Sequence, residues 1–314
     1  MATRKAASVK KATVKKPAVK ATTNKTTVKT LRTDDKPVVR AAEVSRVSRT
    51  RSSLPSNIVN VILVELFGTT VLTFAVLFAS KETGALYAGL TFAVLSMVAG
   101  AVSGGHFNPA ISFASWTMRR LRTLLLPFYI GAQLLGAMLA VIIINVLTNN
   151  ALKLNFDHMW FSTFNWAIFG VELIGAAVLM LGFAAVTNRT TLSQGSSAFG
   201  AGLSLVAALV VAGSLLAIVQ GAIDKSNVSV ENDPKTNKTI FKNVPVELRA
   251  AAPVVNPAVA IAATENTDAQ LQNSSAQKDE VRYSRFGMEV VLATFIGAAL
   301  GGNLYMLVAG RRNV

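Results

Sequence analysis

The sequence contains the tripeptide Asn-Pro-Ala twice, and its residue types favour the start of a helix. The two copies are Asn108-Pro109-Ala110 and Asn256-Pro257-Ala258. An Asn side chain caps a helix and Pro is favoured in its first turn. A helix N-terminus also carries unpaired N–H groups and about half a positive charge. Two such ends, together with the Asn amide groups, would donate hydrogen bonds to an oxygen atom and repel a cation, which is chemistry suited to a neutral molecule.

Two carboxylates lie inside apolar runs of the sequence. Glu65 opens the eight residues ELFGTTVL (65–72), and Glu172 opens the similar eight residues ELIGAAVL (172–179). Ionisable residues inside a membrane are costly and by default indicate function, so a proton relay or an ion site is one interpretation. Both carboxylates belong to a repeated segment, however, and no Lys or Arg within the apolar runs pairs with them. These facts favour a structural role.

The composition places most of the chain in a lipid bilayer. Of the 314 residues, 52% are hydrophobic and 15% are charged, and the mean hydropathy is +0.46. About 25% charged residues is usual for a water-soluble protein. The absence of Cys excludes disulfides and cysteine chemistry, and two His, at 106 and 158, leave almost nothing for a metal site. We therefore expect a protein that is not an enzyme and has no metal or cofactor.

The net charge of +15 is concentrated at one end of the chain. Residues 1–57 contain 15 Lys or Arg and three acidic residues, and so carry +12 of the total. The first 30 residues are rich in Lys, Ala, Thr and Val and lack aromatic residues, a composition typical of disorder. We expect residues 1–57 to form a disordered cytoplasmic tail attracted to anionic lipid, at about 1 kcal/mol for each basic residue near the surface. Nucleic-acid binding is the less favoured interpretation.

Six hydrophobic segments are long enough to cross about 30 Å of hydrocarbon, which takes roughly 20 helical residues. They are residues 58–79, 85–103, 124–147, 166–187, 197–222 and 286–309. Two shorter apolar segments, 106–118 and 253–263, each contain Asn-Pro and are predicted to enter the membrane from opposite faces as half-helices. The predicted fold is an all-α membrane protein with six transmembrane helices and two re-entrant half-helices.

The distribution of basic residues predicts the orientation of the bundle. When the tail is placed in the cytoplasm, the basic residues after the second and fourth spans and at the end of the chain fall on the same side. These residues are Arg119, Arg120, Arg122, Arg189, Arg311 and Arg312. We therefore expect both termini to be cytoplasmic.

The loop after the fifth span is long and evenly charged. Residues 223–285 contain eight basic and eight acidic residues, a balance typical of a solvated segment. We expect an extracytoplasmic insertion at about 223–250 and a polar linker at about 264–285, on either side of the second half-helix. Three N-glycosylation sequons begin at Asn227, Asn237 and Asn273. Such sequons also arise by chance in a loop rich in Asn, Ser and Thr.

The carboxylate segments and the Asn-Pro-Ala tripeptides together define an internal repeat. The first copy covers about residues 58–147 and the second about 166–309. An odd number of spans separates the copies, so they are inverted across the membrane plane, and such repeats place a transport site near the midplane. Irregular backbone at this depth is allowed where it lines a wet cavity. The predicted pore-lining carbonyl groups are those of Gly104, Gly105, His106, Val254 and Val255.

These features resemble the aquaporin and aquaglyceroporin family, also called the major intrinsic proteins. The stretch SGGHFNPA (103–110) is similar to the family's first signature, FYIGAQLLGA (128–137) to its third span and GAAL (297–300) to its sixth. The resemblance covers about residues 58–310, excluding much of the fifth loop. It implies a homotetrameric passive channel, in the cell membrane, for water and small neutral solutes such as glycerol or urea.

The resemblance also implies roles for three residues near the half-helices. Glu65 and Glu172 would brace the re-entrant loops by accepting hydrogen bonds from backbone N–H groups. His106 would be a packed, neutral residue, and a pH-sensitive gate is the less favoured interpretation.

The sequence departs from the family where the pore would be narrowest. Val259 follows the second Asn-Pro-Ala where the family usually has Arg, and the family spacing places Ala88 where water channels usually have a large aromatic residue. The position in the fifth span is Gly213 or Ser214. We therefore expect a wide, uncharged selectivity filter, which lowers the steric cost for solutes larger than water.

The sequence also leaves a second class of function open. The bundle would then be a structural or adhesion protein that conducts little or nothing, with the long fifth loop as its contact surface. A scaffold would not raise the permeability of liposomes, so a swelling measurement separates the two hypotheses.

Overall fold

The computed structural model describes residues 54–78, 83–149, 154–156, 164–188, 191–226, 228–232, 239–272 and 282–310. Several predictions from the sequence lie outside these residues. They concern the basic tail up to residue 53, the orientation markers Arg189, Arg311 and Arg312, and the sequons at Asn227, Asn237 and Asn273.

Helices make up most of the described part of the chain. Numbered in order, they are α1 (Ile58–Phe78), α2 (Gly84–Ala99), α3 (Pro109–Thr117), α4 (Leu126–Leu147), α5 (Trp166–Thr187), α6 (Gln194–Ala222), α7 (Val246–Arg249), α8 (Pro257–Ala262), α9 (Asp268–Leu271) and α10 (Met288–Val308). Short strands occur only in the loops of this part: β1 (Leu154–Asn155), β2 (Ser229–Asn232), β3 (Thr239–Lys242) and β4 (Arg282–Tyr283).

The six long helices correspond to the six predicted spans. Five of them, α1, α4, α5, α6 and α10, are long and apolar enough to cross a membrane. The sixth, α2, has 16 residues and ends at Ala99, before the predicted end at residue 103. Turns follow at residues 100–103, and the chain then passes through Gly104 and Gly105, whose φ angles of 87° and 65° are disfavoured for residues with a Cβ atom. The predicted all-α membrane fold is confirmed, with a shorter second span.

The two half-helices, α3 and α8, begin as the sequence predicts. The Asn108 side chain accepts a hydrogen bond from the Ala110 N–H at 2.8 Å. The Asn256 side chain accepts one from the Ala258 N–H at 3.0 Å. Pro109 and Pro257 occupy the first turns, where a missing N–H has no cost because no helical partner exists there.

The helices pack as two equivalent halves that interlock. In the first half α1 packs against α4, and in the second half α5 packs against α10. The half-helices exchange partners, because α3 contacts α10 of the second half and α8 contacts α4 of the first half. Each half-helix is therefore held by the other repeat.

A glycine in each repeated segment allows the residue before each Asn to approach. A Cβ atom on Gly68 would overlap the ring of Phe107, and a Cβ atom on Gly175 would overlap the side chain of Val255. Both glycines lie three residues after the repeated Glu. The Glu-x-x-Gly pattern thus provides both a hydrogen-bond acceptor and a space for the re-entrant loop.

The long fifth loop is folded. Strands β2 and β3 form an antiparallel hairpin, and β1 pairs with β4 in parallel. The prediction of a solvated segment is wrong for five polar residues, which are buried: Glu265, Asn266, Thr267, Ser284 and Arg285. The reason is that the chain before α10 folds back onto the second half-helix, where the Ser284 hydroxyl donates to the Ile261 carbonyl at 2.9 Å.

Candidate functional site

The two half-helix N-termini meet in the centre of the bundle. The Asn108 amide nitrogen donates to the Val255 carbonyl at 2.9 Å, and the Asn256 amide nitrogen donates to the Phe107 carbonyl at 3.0 Å. The two Asn residues are only 2% and 3% exposed. Each Asn therefore caps its own half-helix and ties itself to the loop of the other repeat.

The backbone before each Asn has the same unusual conformation. Phe107 and Val255 both have a φ of 47°, in the left-handed region that side chains rarely adopt. This conformation is unfavourable, especially for a β-branched residue, and persists only where neighbouring contacts hold it. The Val255 carbonyl, predicted to line the pore, accepts the amide of the opposite Asn. Phe107, which the sequence did not indicate, is its equivalent in the first loop.

Both Asn side chains line a cavity of about 20 Å³, which is enough for about one water molecule. The first repeat contributes Leu72, Val76, Ala88, Phe92, Asn108 and Ile111. The second repeat contributes Leu179, Leu205, Leu209, Val254, Asn256 and Val259. The two Asn are the polar residues among these twelve. The described part of the chain therefore places a pair of amide groups in an otherwise apolar constriction.

The structure brings together two of the four predicted filter residues. Ala88 and Val259 line the narrow cavity, and each is 1% exposed. Gly213 is not among the lining residues but lies next to the second loop, where a Cβ atom on it would be 4.0 Å from Pro253 Cδ. Ser214 points away: its side chain is exposed, and its hydroxyl donates to the Val210 carbonyl at 2.9 Å.

The constriction is uncharged within the described part of the chain, as expected from Val259. Besides the small residue Ala88, the aliphatic side chains of Leu72, Val76 and Leu209 belong to its lining residues. The wide selectivity filter stays a prediction.

Two larger cavities lie beside the chain segments that lead to the two half-helices. One of about 330 Å³ is lined by Ser96, Gly104 and Phe183, among others, where α2 leads into the first loop. Another of about 280 Å³ is lined by Gln220, Ala250 and other residues, before the second loop. Of the predicted pore-lining carbonyl residues, Gly104 contacts the first of these cavities and Val254 contacts the narrow one. The Gly105 carbonyl accepts a long hydrogen bond from Ser96 Oγ at 3.5 Å.

Glu65 lies behind the first re-entrant loop and is fully buried. Its Oε1 atom accepts hydrogen bonds from Ser103 Oγ at 2.6 Å and from the His106 N–H at 3.0 Å. Its Oε2 atom accepts them from the Phe107 N–H at 2.7 Å and from Gln133 Nε2 at 2.8 Å. Four neutral donors thus fix this carboxylate to the loop and to α4.

Glu172 occupies the equivalent place behind the second loop. Its Oε1 atom accepts a hydrogen bond from the Val254 N–H at 2.9 Å, and its Oε2 atom accepts one from the Val255 N–H at 2.8 Å. Arg285 Nη2 lies 3.5 Å from Oε1. Arg285 lies just before the sixth apolar segment, so the expectation that no Lys or Arg within the apolar runs pairs with Glu172 did not consider it. Arg285 reaches Glu172 because the segment before α10 folds onto the half-helix.

His106 packs beside the first loop. Its Nδ1 atom lies 3.1 Å from Ser112 Oγ, and its ring centre lies 5.0 Å from that of Tyr129. The side chain is buried and is not among the residues that line the narrow cavity. The arrangement fits a packing residue.

Besides Phe107, Gln133 and Arg285 lie around the site and were not indicated by the sequence. Gln133 had a usable signal, because it is an amide within an otherwise apolar span. Arg285 had none, because it is 113 residues from Glu172 in the chain and borders a loop rich in charged residues.

Comparisons with known proteins give similar relatives. The chain is 36% identical to Aquaporin-9 of Homo sapiens over 108 residues, which are 31% of this chain and 37% of that protein. It is 27% identical to Aquaporin Z of Photorhabdus laumondii over 202 residues, 57% of this chain and 83% of that protein. The X-ray structure of the aquaglyceroporin from Plasmodium falciparum aligns with 81% of this chain and 96% of its own, at 16% identity and a TM-score of 0.47.

The match to Homo sapiens Aquaporin-9 thus spans well under two thirds of that relative's length. The family described as Major intrinsic protein matches residues 43–223, which is more than half of the chain. This region includes α1 to α6, both buried Glu residues and the first Asn-Pro-Ala, and it ends where the long fifth loop begins. The chain belongs to the major intrinsic protein family.

Proposed function

We propose that this protein is a passive membrane channel for water and small neutral solutes such as glycerol and urea. The observation that carries the proposal is the pair of Asn108 and Asn256 amide groups in an apolar constriction at the crossing of two half-helices. Larger cavities lie beside the loops that precede the two half-helices, which suits a pore that is narrowest between the two Asn residues. The family of the chain and its relatives named Aquaporin support the same function.

The two Asn residues orient the passing molecule. An amide group has two N–H donors, and one from each Asn is used to hold the opposite loop. The other donor of each Asn is available to the oxygen of a water molecule or an alcohol. A water molecule that accepts both hydrogen bonds points its own hydrogens outward, which interrupts a chain of proton transfer.

Cations are excluded by two effects that act at the same place. The half-helix N-termini at Asn108 and Asn256 carry partial positive charge. The aliphatic wall offers no ligand to replace the water around an ion, and removing that water is strongly unfavourable. Val259 adds no charge of its own, so the backbone must supply the positive field.

The constriction favours small solutes with a carbon skeleton. Ala88 and Val259 form part of its wall, and Gly213 lies beside the second loop. In the described conformation the space holds about one water molecule. Glycerol passes when the leucine and valine side chains change rotamer, and its CH groups then contact these aliphatic side chains.

We also propose an oligomeric state and a membrane orientation for the channel. Large apolar side chains are exposed on the outer faces of the long helices of this single chain, among them Leu86, Val146 and Leu307. Lipid and neighbouring copies in a homotetramer cover these faces. Both termini lie in the cytoplasm of a cell, where the basic tail meets anionic lipid of the cell membrane.

Reconstitution in liposomes tests the proposal. Stopped-flow light scattering should show higher permeability to water and glycerol than in protein-free liposomes, with a weaker temperature dependence. The matched control is a non-conducting membrane protein inserted at the same amount. Permeability equal to that control, with insertion verified by protease protection, would contradict the channel and support the scaffold hypothesis.

A further inference from the structure

The buried carboxylates of the two repeats are satisfied by different donors. A carboxylate has about four acceptor sites. Glu65 fills them with four neutral donors, two from the backbone and two from the side chains of Ser103 and Gln133. Glu172 has two neutral donors, the N–H groups of Val254 and Val255, and its remaining side faces the Arg285 guanidinium.

The Glu172–Arg285 pair is shielded from solvent. The side chain of Glu172 is 0% exposed and that of Arg285 is 4% exposed. A buried carboxylate with few hydrogen bonds is strongly unfavourable unless an opposite charge compensates it. The guanidinium occupies the side of Glu172 that corresponds to the one bound by Ser103 and Gln133 in Glu65, and unlike these neutral donors it also cancels the charge of the carboxylate.

The pair also lies directly behind the pore wall. Glu172 binds the backbone of Val254, whose side chain lines the narrow cavity. It also binds the backbone of Val255, whose carbonyl holds Asn108. An uncompensated negative charge at this position would offset the positive field of the half-helix that begins at Asn256.

We propose that Arg285 is a positioning residue that sets the charge selectivity of the pore. It cancels the charge of Glu172 behind the second half-helix, so the pore excludes cations although Val259 carries no charge. This role rests on the proposed function as a channel for neutral solutes.

The local geometry suits this role. The Arg285 N–H donates to the Ala263 carbonyl at 2.8 Å, which anchors the residue at the end of the second half-helix. The contact with Glu172 is a single Nη2–Oε1 approach of 3.5 Å, and Nε has no hydrogen-bond partner among the described residues. The pairing therefore depends on charge more than on a bidentate fit, so a lysine can replace the arginine.

Three variants separate charge from structure: Arg285→Gln, Arg285→Lys and Glu172→Gln. The first leaves a negative charge behind the loop, the second keeps the pair, and the third leaves a positive charge. The matched control is Arg249→Gln, which removes an arginine from the partly exposed Arg249–Asp268 pair in the outer loops. Each protein is reconstituted at equal amount, and sodium conductance and glycerol permeability are measured on the same liposomes.

We expect Arg285→Gln to raise sodium conductance roughly tenfold or more, the order expected for one unit charge near the pore at an effective dielectric constant of about 20. Arg285→Lys and Arg249→Gln should exclude sodium as the wild type does, and Glu172→Gln, which leaves no negative charge behind the loop, should admit much less sodium than Arg285→Gln. A purely structural role predicts instead that Arg285→Gln and Glu172→Gln leak alike. Equal sodium conductance in these two variants, or an Arg285→Gln variant that conducts no sodium, would overturn the proposal.

The double variant Glu172→Gln/Arg285→Gln covers the case in which Arg285→Gln does not insert. Replacing both charges of a buried pair is much better tolerated than removing one. The double variant should insert and exclude sodium, and a sodium leak through it would overturn the proposal. A wild type that conducts neither water nor glycerol would instead contradict the proposed function.

Discussion

The two halves of the molecule agree closely at the crossing of the half-helices. Each Asn donates across the repeat at nearly the same distance, 2.9 and 3.0 Å, and the residue before each Asn has the same φ of 47°. Behind the crossing the halves differ, because Gln133 contacts Glu65 and Arg285 contacts Glu172. The features that a passing molecule would meet are thus duplicated, whereas the supporting residues need only satisfy each carboxylate by some means.

Removing the carboxylates should give the largest effect and the clearest asymmetry. Glu65→Ala removes the acceptor of four donors. Two of them, the N–H groups of His106 and Phe107, are left unsatisfied, at about 1–3 kcal/mol each. The Ser103 hydroxyl can rotate to another acceptor, and Gln133 Nε2 keeps its hydrogen bond to Ser112 Oγ. Glu172→Ala leaves two N–H groups and also a buried, unpaired Arg285, which by itself costs about 3–5 kcal/mol. We expect the melting temperature in detergent, followed by size-exclusion chromatography, to fall further for Glu172→Ala. Equal losses would mean that the Glu172–Arg285 pair contributes little.

A negative charge placed where the two half-helices meet should have the same effect in either repeat. Asn108→Asp and Asn256→Asp each place a carboxylate against a half-helix N-terminus, which offsets the positive field and weakens donation to water. We expect both variants to lower water permeability and to admit sodium, by similar factors. Asn57→Asp, at an exposed position before α1, is the control and should change neither. Normal water permeability and no sodium current in both variants would contradict the proposed pore.

A larger side chain in the constriction, contributed by the first repeat, should lower the ratio of glycerol to water permeability. Ala88→Phe adds bulk next to Val259 without adding charge. We expect glycerol permeability to fall much more than water permeability in stopped-flow measurements, because glycerol is wider. Overpacking costs about 1–3 kcal/mol, so the values are compared at equal inserted protein. Ser214→Phe adds the same ring at an exposed position and should leave the ratio unchanged. If glycerol and water permeability fall by the same factor, Ala88 does not line the selectivity filter.

The mildest variants test whether the two repeats contribute equally to the wall of the narrow cavity. Leu72 and Leu179 each lie seven residues after the repeated Glu, and both line the narrow cavity. Leu72→Val and Leu179→Val each remove one methylene group, at a cost of about 1 kcal/mol. We expect a small rise in the ratio of glycerol to water permeability, similar in both variants. A rise in only one of them would show that the constriction is formed mainly by one repeat.

The sequence predicts the features of the fold that depend on local patterns. The spans follow from uninterrupted apolar runs, and the half-helix starts at Asn108 and Asn256 follow from capping chemistry. The positions of Gly213 and Ser214 depend on the rotation of α6, because adjacent residues point about 100° apart on a helix, and neither of them is among the residues that line the narrow cavity. The lining of the constriction and the Glu172–Arg285 pair needed the fold itself, because residues from distant elements meet there.

The exchange of half-helices between the repeats has a consequence for biosynthesis. Asn108 finds its carbonyl partner 147 residues later in the chain, and Phe107 receives its amide donor 149 residues later. At about 5–20 residues per second, a ribosome needs roughly 7–30 seconds to make that stretch. During this interval Asn108 and Phe107 lack these hydrogen-bond partners. The first re-entrant loop can therefore reach its final arrangement only after the second half has been synthesised.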